Sequence, residues 1–329
     1  MFYSPKSVRR SVQRQFNRAK ILVVGDLMLD AYLWGDVHRI SPEAPVPVVR
    51  LVRRTETAGG AGNVALNLAS LGLNVTVAGF VGDDEPGRHL VNLLEASGVE
   101  CLAIKNSDSR PTATKTRVIG GHQQMLRIDE ECSITPPDRD GERLIKAVLP
   151  LLTTETNAII LSDYGKGVLT QWACHRLIHE SRILGVPVLV DPKGKNFSKY
   201  ARATAITPNR HELELVSAIG DAGEPDLNSA AIRMRSELEL EFLVLTLGEH
   251  GIRLFDEHGS LEIPANARQV FDVCGAGDTL IATLAAGISS GICRDDSLRL
   301  ANLAAGIVVG KVGTSPICPD ELLAAIDSE

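Results

Sequence analysis

Val270-Phe271-Asp272-Val273-Cys274-Gly275-Ala276-Gly277-Asp278-Thr279 leads directly into an apolar run from Leu280 to Ile288. Ile263 to Val270 reads as extended chain, whereas Leu280, Ile281, Leu284 and Ile288 recur at helical spacing, so Gly275-Ala276-Gly277 is expected to turn the chain into a helix. The first amides of a helix lack intrahelical partners and sit at the positive end of its dipole. Glycines there let an anion approach without a Cβ in the way. Asp278, in the first helical turn, has two readings. It complements the dipole, or it takes a proton from a hydroxyl that attacks a phosphoryl group held by the amides of residues 275 to 277.

The rest of the chain bears on that choice. Its 329 residues, 44% hydrophobic and 23% charged, suffice for one large α/β domain with at most a small appendage. No apolar run approaches the roughly 18 residues of a membrane span, and no signal peptide precedes the first strand, so a cytoplasmic protein is expected. Cys101, Cys132, Cys174, Cys274, Cys293 and Cys318 form neither a Cys-x-x-Cys pair nor a zinc-spaced cluster, which suggests reduced, mostly buried thiols. A net charge of −7 speaks against a general nucleic-acid binder. In residues 1–19, Lys6, Arg9, Arg10, Arg14 and Arg18 interleave with Val8, Val12 and Phe16 at helical spacing, which fits a docking helix or a frayed basic tail.

Lys20 to Gly25 reads as a buried parallel strand, with Asp26 and Asp30 just beyond its carboxyl end, where open α/β sheets bind ligands. Those carboxylates are candidate metal ligands, turn residues or acceptors for a polyol. Tyr32 to Val52 is rich in proline and suits a protruding edge strand. Gly59-Gly60-Ala61-Gly62-Asn63 then opens a helix; it is neither a dinucleotide fingerprint nor a Walker A loop, and serves either close helix packing or a second ligand loop with Asn63 facing a hydroxyl. Asn74 to Gly82 reads as one strand, with a helix opened by Pro86. Thr112 to Asp129 alternates as a hairpin turning at Gly120-Gly121, and would join the proline-rich strand as a lid bearing Lys115, Arg117, His122 and Arg127.

From Asp138 onward strands and helices alternate, with strands at Ala158–Leu161, Val186–Val190, Ala203–Ile206 and Phe242–Leu245. The fold class is therefore α/β, a doubly wound, mostly parallel sheet flanked by helices with a small β-sheet lid. Polar residues gather at the strand ends, in Ser162 to Gly167, Asp191-Pro192-Lys193, Thr207 to Glu212 and Thr246 to Gly251. Asn209 and Glu212, three apart at a helix start, suit either a cap or a place near metal-bound phosphates, and Lys193 is a candidate phosphate partner.

Residues 20–329, through Gly59-Gly60-Ala61-Gly62-Asn63 and Asp272 to Thr279, resemble the ribokinase (PfkB) family of carbohydrate kinases. Gly25 to Asp30, Ile40 to Val48, Ser162 to Gly167 and Asp191 to Lys193 are similar, more narrowly, to its heptose 7-phosphate kinases of lipopolysaccharide core synthesis. The resemblance implies Asp278 as catalytic base and Gly275, Ala276 and Gly277 as anion hole. It places Lys193, Asn209, Glu212, Thr246, Gly248 and Asn302 at ATP, and Asp26, Asp30, Gly60 and Asn63 at the sugar. Arg117 and Arg127 become candidates for a substrate phosphate. It implies Mg²⁺ held mainly by ATP phosphates and water, with a small-molecule sugar phosphate and ATP as partners, and the lid's apolar face, otherwise exposed, is the expected homodimer surface. Relatives often add an adenylyltransferase that is not seen here, so a separate protein is expected to take the next step. A kinase for another sugar and an idle nucleotide or sugar sensor are the alternatives. Cys274, where the family often has Thr, raises the prospect of oxidative inhibition.

Overall fold

The computed structural model describes residues 2–101, 105–107, 110–121, 123–132, 138–217, 224–266, 272–311 and 313–328. Val270, Phe271 and His122 therefore lie outside the described residues. The chain first forms the helix Pro5–Arg14, whose Val8 and Val12 are buried along with Phe16 just beyond it. Of the two readings of this segment, docking is the one seen: Asp296 accepts the amides of Tyr3 and Ser4, and Arg9 pairs with Asp327.

Strand β1 (Lys20–Gly25) is apolar and buried for five of its six residues, as a strand covered on both faces must be. β2 (Leu27–Ile40) and β3 (Pro47–Gly60) then leave the main sheet as a long antiparallel hairpin. Its prolines fall in the turn and at the start of β3, an edge strand, where a missing N–H costs least. β4 (Asn74–Ala78) returns beside β1, and β5 (Phe80–Gly82) pairs with β6 (Lys105–Ser107) in a separate ribbon. The single strand expected over Asn74–Gly82 is thus two. They part at Gly79, where a Cβ would lie 2.5 Å from the Gly25 carbonyl.

β7 (Ala113–Gly120) and β8 (Gln123–Glu130) form the expected hairpin, and β7 runs parallel to β2. The order β3-β2-β7-β8 makes a small sheet of its own. β9 (Ala158–Ser162), β10 (Val188–Asp191), β11 (Ala205–Ile206) and β12 (Phe242–Thr246) extend the main sheet in parallel. β13 (Ile252–Asp256) and β14 (Gly259–Ile263) close it with an antiparallel hairpin that the sequence reading did not contain. The extended stretch expected from Ile263 to Val270 stops as strand at Ile263, and 267–270 lie outside the described residues. The eight-stranded order is β14-β13-β12-β11-β10-β9-β1-β4.

Helices cover both faces, and two of them set the site. Ala61–Ser70 and Ala276–Ser289 are buried nearly throughout, which their Ala and Gly content permits at close range. The buried Asn67 amide stitches them: its Oδ1 accepts Thr279 Oγ1 at 3.1 Å and the Ile317 amide at 3.3 Å, while its Nδ2 donates to the Asn63 carbonyl at 2.9 Å. Two helix starts are thereby fixed side by side at the carboxyl edge of the sheet.

Candidate active site

Gly275 caps the helix Ala276–Ser289 with φ +79°, a conformation that disfavours any side chain. Asp272 shapes the approach, accepting the Cys274 amide at 2.9 Å and the Gly313 amide at 3.2 Å. Among the described residues the amides of Gly277 and Asp278 have no acceptor, so the turn offers N–H groups at the positive helix end.

Asp278 is 5% exposed. Tyr164 donates its hydroxyl to Oδ1 at 2.7 Å, and Asn63 donates Nδ2 to Oδ2 at 2.7 Å. Burial pushes the carboxyl up to about 6, against these two hydrogen bonds; Asp30 raises it further and Lys115 lowers it. The group can therefore accept a proton near neutral pH. Tyr164 cannot compete for that role. Desolvation first, and then the charges of Asp278 and Asp191, hold its phenol well above its ordinary value.

The small sheet faces this carboxylate. On β2 and β7 the parallel register sets Asp30 beside Lys115 and Tyr32 beside Arg117. Arg117 bonds Asp30 at 2.5 Å and lies over the Tyr32 ring. Lys115 sits 5.7 Å from the centre of the Tyr164 ring and has no carboxylate partner among the described residues. Arg127, on the outer strand, is half exposed and bonded to Asp129 at 2.7 and 2.9 Å.

Other expected residues fall in distinct places. Asp26, 1% exposed, binds three backbone amides: Oδ2 accepts those of Tyr164 at 2.8 Å and Lys166 at 3.0 Å, and Oδ1 that of Val168 at 3.2 Å. A sugar contact is expected of Asp26, whose carboxylate also shapes the loop that carries Tyr164. Gly60 caps the helix Ala61–Ser70 with φ +56°, close against the Asp26 carbonyl. Asn209 and Glu212 cap reciprocally, each amide bonded to the other's side chain at 2.9 Å, and Glu212 also takes the Lys193 ammonium at 2.7 Å.

Tyr164, Asp191, Lys193, Glu212, Thr246 and Gly277 border a cleft of about 170 Å³ that joins this second group to the glycine turn. Gly248 and Asn302 stand outside its lining; Gly248 turns the chain after β12, and Asn302 donates to the Pro264 carbonyl at 2.8 Å. Two larger hollows, of about 400 and 680 Å³, lie at the amino ends of β1 and β4 and on the outer face of the helix Gln171–Leu184, away from every strand end that bears these groups. Tyr164 and Asp191 are site residues to which the sequence reading assigns no role, and Lys115 is named there only as one of four lid cations. The polar strand-end loops pointed to their neighbourhood, without a reason to prefer them.

The cysteines are all unpaired, but the expectation of mostly buried thiols fails: Cys174 is buried, Cys293 exposed and the others between. Desolvation and Asp272 push the Cys274 thiol up to about 11, which keeps it protonated and blunts its oxidation.

A buried carboxylate thus stands at a glycine-turned helix start, faced by a small sheet and flanked by a polar cleft. The chain belongs to the pfkB family of carbohydrate kinases, whose family pattern matches residues 18–321. It is 51% identical over 320 residues to the bifunctional protein HldE of Magnetococcus marinus and 50% identical over 309 residues to that of Methylobacillus flagellatus. These alignments cover 96% and 94% of this chain but 66% and 63% of the relatives, so the chain spans just under two thirds of their length. The fold is ribokinase-like. Arabidopsis thaliana ribokinase complexed with ribose and ATP superposes with a TM-score of 0.72 at 19% identity, covering 94% of this chain and 98% of that one. Escherichia coli phosphofructokinase-2 in complex with potassium gives 0.77 at 20%, with coverage of 94% and 98%.

Proposed function

We propose that the chain transfers the γ-phosphoryl group of ATP to the anomeric C1 hydroxyl of D-glycero-β-D-manno-heptose 7-phosphate, giving ADP and the 1,7-bisphosphate for lipopolysaccharide core synthesis. The observation that carries the chemistry is the buried Asp278, held by Asn63 and Tyr164 at the mouth of the Gly275–Gly277 turn. Support for the substrate comes from the motif resemblance and from the similarity to the two HldE proteins.

Asp278 takes the proton of the C1 hydroxyl, the freed lone pair forms the new O–P bond, and ADP leaves with the electrons of the broken P–O bond. The amides of the turn face the charge on the transferring group. Lys193 and Glu212 border the cleft that would take the ATP phosphates. Asp191 beside them is held well above its ordinary value by desolvation and by Asp278 and Glu212, an excess of carboxylates that fits Mg²⁺ arriving with the nucleotide. Among the described residues no cluster of three or more His, Cys, Asp and Glu is spaced to hold a metal by itself. The ion would be held by ATP phosphates and water with Glu212 beside it, and would offset phosphate charge.

The small sheet serves as a lid over the sugar, with Lys115 in contact with the 7-phosphate. Arg117 and Arg127 are already occupied by Asp30 and Asp129, which leaves Lys115 the better-placed cation. Leu51, Val52, Leu126 and Ile128 are exposed on that sheet and support a homodimer through it. Among the described residues no helix is long and apolar enough to cross a membrane. Phosphorus NMR of the product tests the reaction: a new anomeric phosphate beside the retained 7-phosphate is expected, and ADP formed without it would refute the transfer.

A further inference from the structure

Tyr164 is not needed by the reaction as written, yet its hydroxyl lies 2.7 Å from the reacting carboxylate. The loop Asp163–Val168 brings it there, pinned by three amides on Asp26 and by the Gly165 amide on Asp163 at 2.7 Å. Asn63 is pinned in turn by Asn67, whose Nδ2 reaches the Asn63 carbonyl and, at 3.3 Å, its Oδ1. Two donors fixed by two separate elements therefore grip one carboxylate, one on each oxygen. Each oxygen keeps a second lone pair, and the plane of the group is set.

We infer that Tyr164 is a positioning residue for phosphoryl transfer: its hydroxyl holds Oδ1 of Asp278 so that a free lone pair faces the attacking sugar hydroxyl. The inference rests on Asp278 being the base. Tyr164 itself gains and loses no proton in the step. The side chain also joins the lid to the base, because the Lys115 ammonium lies over the ring whose hydroxyl touches Asp278. The charged groups acting on this pair are Asp30 and Lys115 from the lid and Asp191 from the end of β10, with the amides of the helix start below.

Tyr164→Phe keeps the ring, its volume and the cation over it, and removes one oxygen. Three readouts follow on the full chain: the titration of Asp278 by carbon-13 NMR, assigned by its loss in Asp278→Asn; kcat and KM for heptose 7-phosphate with Mg-ATP; and a thermal melt. Losing a donor that favours the ionised carboxylate raises the Asp278 midpoint from about 6 by about one pH unit. kcat is expected to fall about tenfold, with the acid limb of its pH profile moving up in step and KM for the sugar unchanged. An unmoved midpoint would overturn the inference whatever the rate does, as would an unmoved kcat or a loss confined to KM. The NMR arm needs no turnover, so it reads Tyr164 even if the heptose assignment fails. Full activity in Asp278→Asn would sink the reading of the base, separately from that of Tyr164.

Discussion

Gly277→Ala and Gly275→Ala should both lose rate but part in stability. A Cβ on Gly277 meets nothing within 4 Å, and the residue is not in the left-handed region. Replacing a glycine inside a helix by alanine stabilises by about 0.5–1 kcal/mol. Gly277 borders the cleft, however, and the added methyl would occupy open space at that border, where a phosphoryl group would reach the turn amides. The alanine keeps its N–H, but blocking access to it should cost about what deleting such a donor does, about 100-fold or more in kcat, or roughly 3 kcal/mol of transition-state binding. At Gly275 the left-handed backbone alone costs alanine about 1–2 kcal/mol. Its Cβ would also stand 2.9 Å from Asn63 Nδ2 and 3.2 Å from Thr314 Cγ2, pushing Asn63 off Asp278. Urea unfolding with ADP release under saturating Mg-ATP separates the two. Gly277→Ala should unfold at equal or higher urea yet lose about two orders of magnitude in kcat, whereas Gly275→Ala should lose both stability and rate. Wild-type kcat in Gly277→Ala would refute the use of this turn as an anion hole.

Three further outcomes follow from the geometry. Lys115→Met should raise KM for heptose 7-phosphate about tenfold or more while leaving that for the unphosphorylated sugar unchanged; equal effects on both, measured by ADP release, would remove Lys115 from the 7-phosphate. The Asp278 carboxyl is raised in the fold from 3.8 to about 6, so the folded protein loses stability as pH rises through that window. Asp278→Asn should therefore gain on the wild type between pH 4 and 7 by on the order of 3 kcal/mol, followed by urea unfolding, and a constant difference across that range would contradict the raised pKa. Replacing Val52 and Ile128 together by Glu should halve the mass seen by sedimentation velocity if the lid forms the dimer; an unchanged mass would place any assembly elsewhere.

The fold was largely legible because its strands are short apolar runs closed by glycine or polar turns, as in Lys20–Gly25 and Ala158–Ser162. The hairpin β13–β14 was missed because Arg253, Asp256, Ser260 and Glu262 interrupt the apolar runs that mark the other strands. Gly79 hid a change of sheet, since a glycine within an apolar run gives no sign of which neighbour it must approach. At the site, Gly275 to Asp278 were readable because helix-start chemistry is local. Lys115 was named among the lid cations, but its place beside Asp30 depends on a register between strands more than 80 residues apart. Asp26 shows the same limit: the three amides it accepts lie 138 to 142 residues further along the chain, which a carboxylate at a strand end does not reveal.

The most direct test of the central claim is ADP release from the purified chain with Mg-ATP against heptose 7-phosphate and a panel of other sugars and sugar phosphates, with Asp278→Asn alongside. Selective turnover of the heptose phosphate, lost in the variant, is the predicted result. Turnover of another panel member would keep the mechanism and replace the substrate, and turnover that survives in Asp278→Asn would contradict the account at its centre.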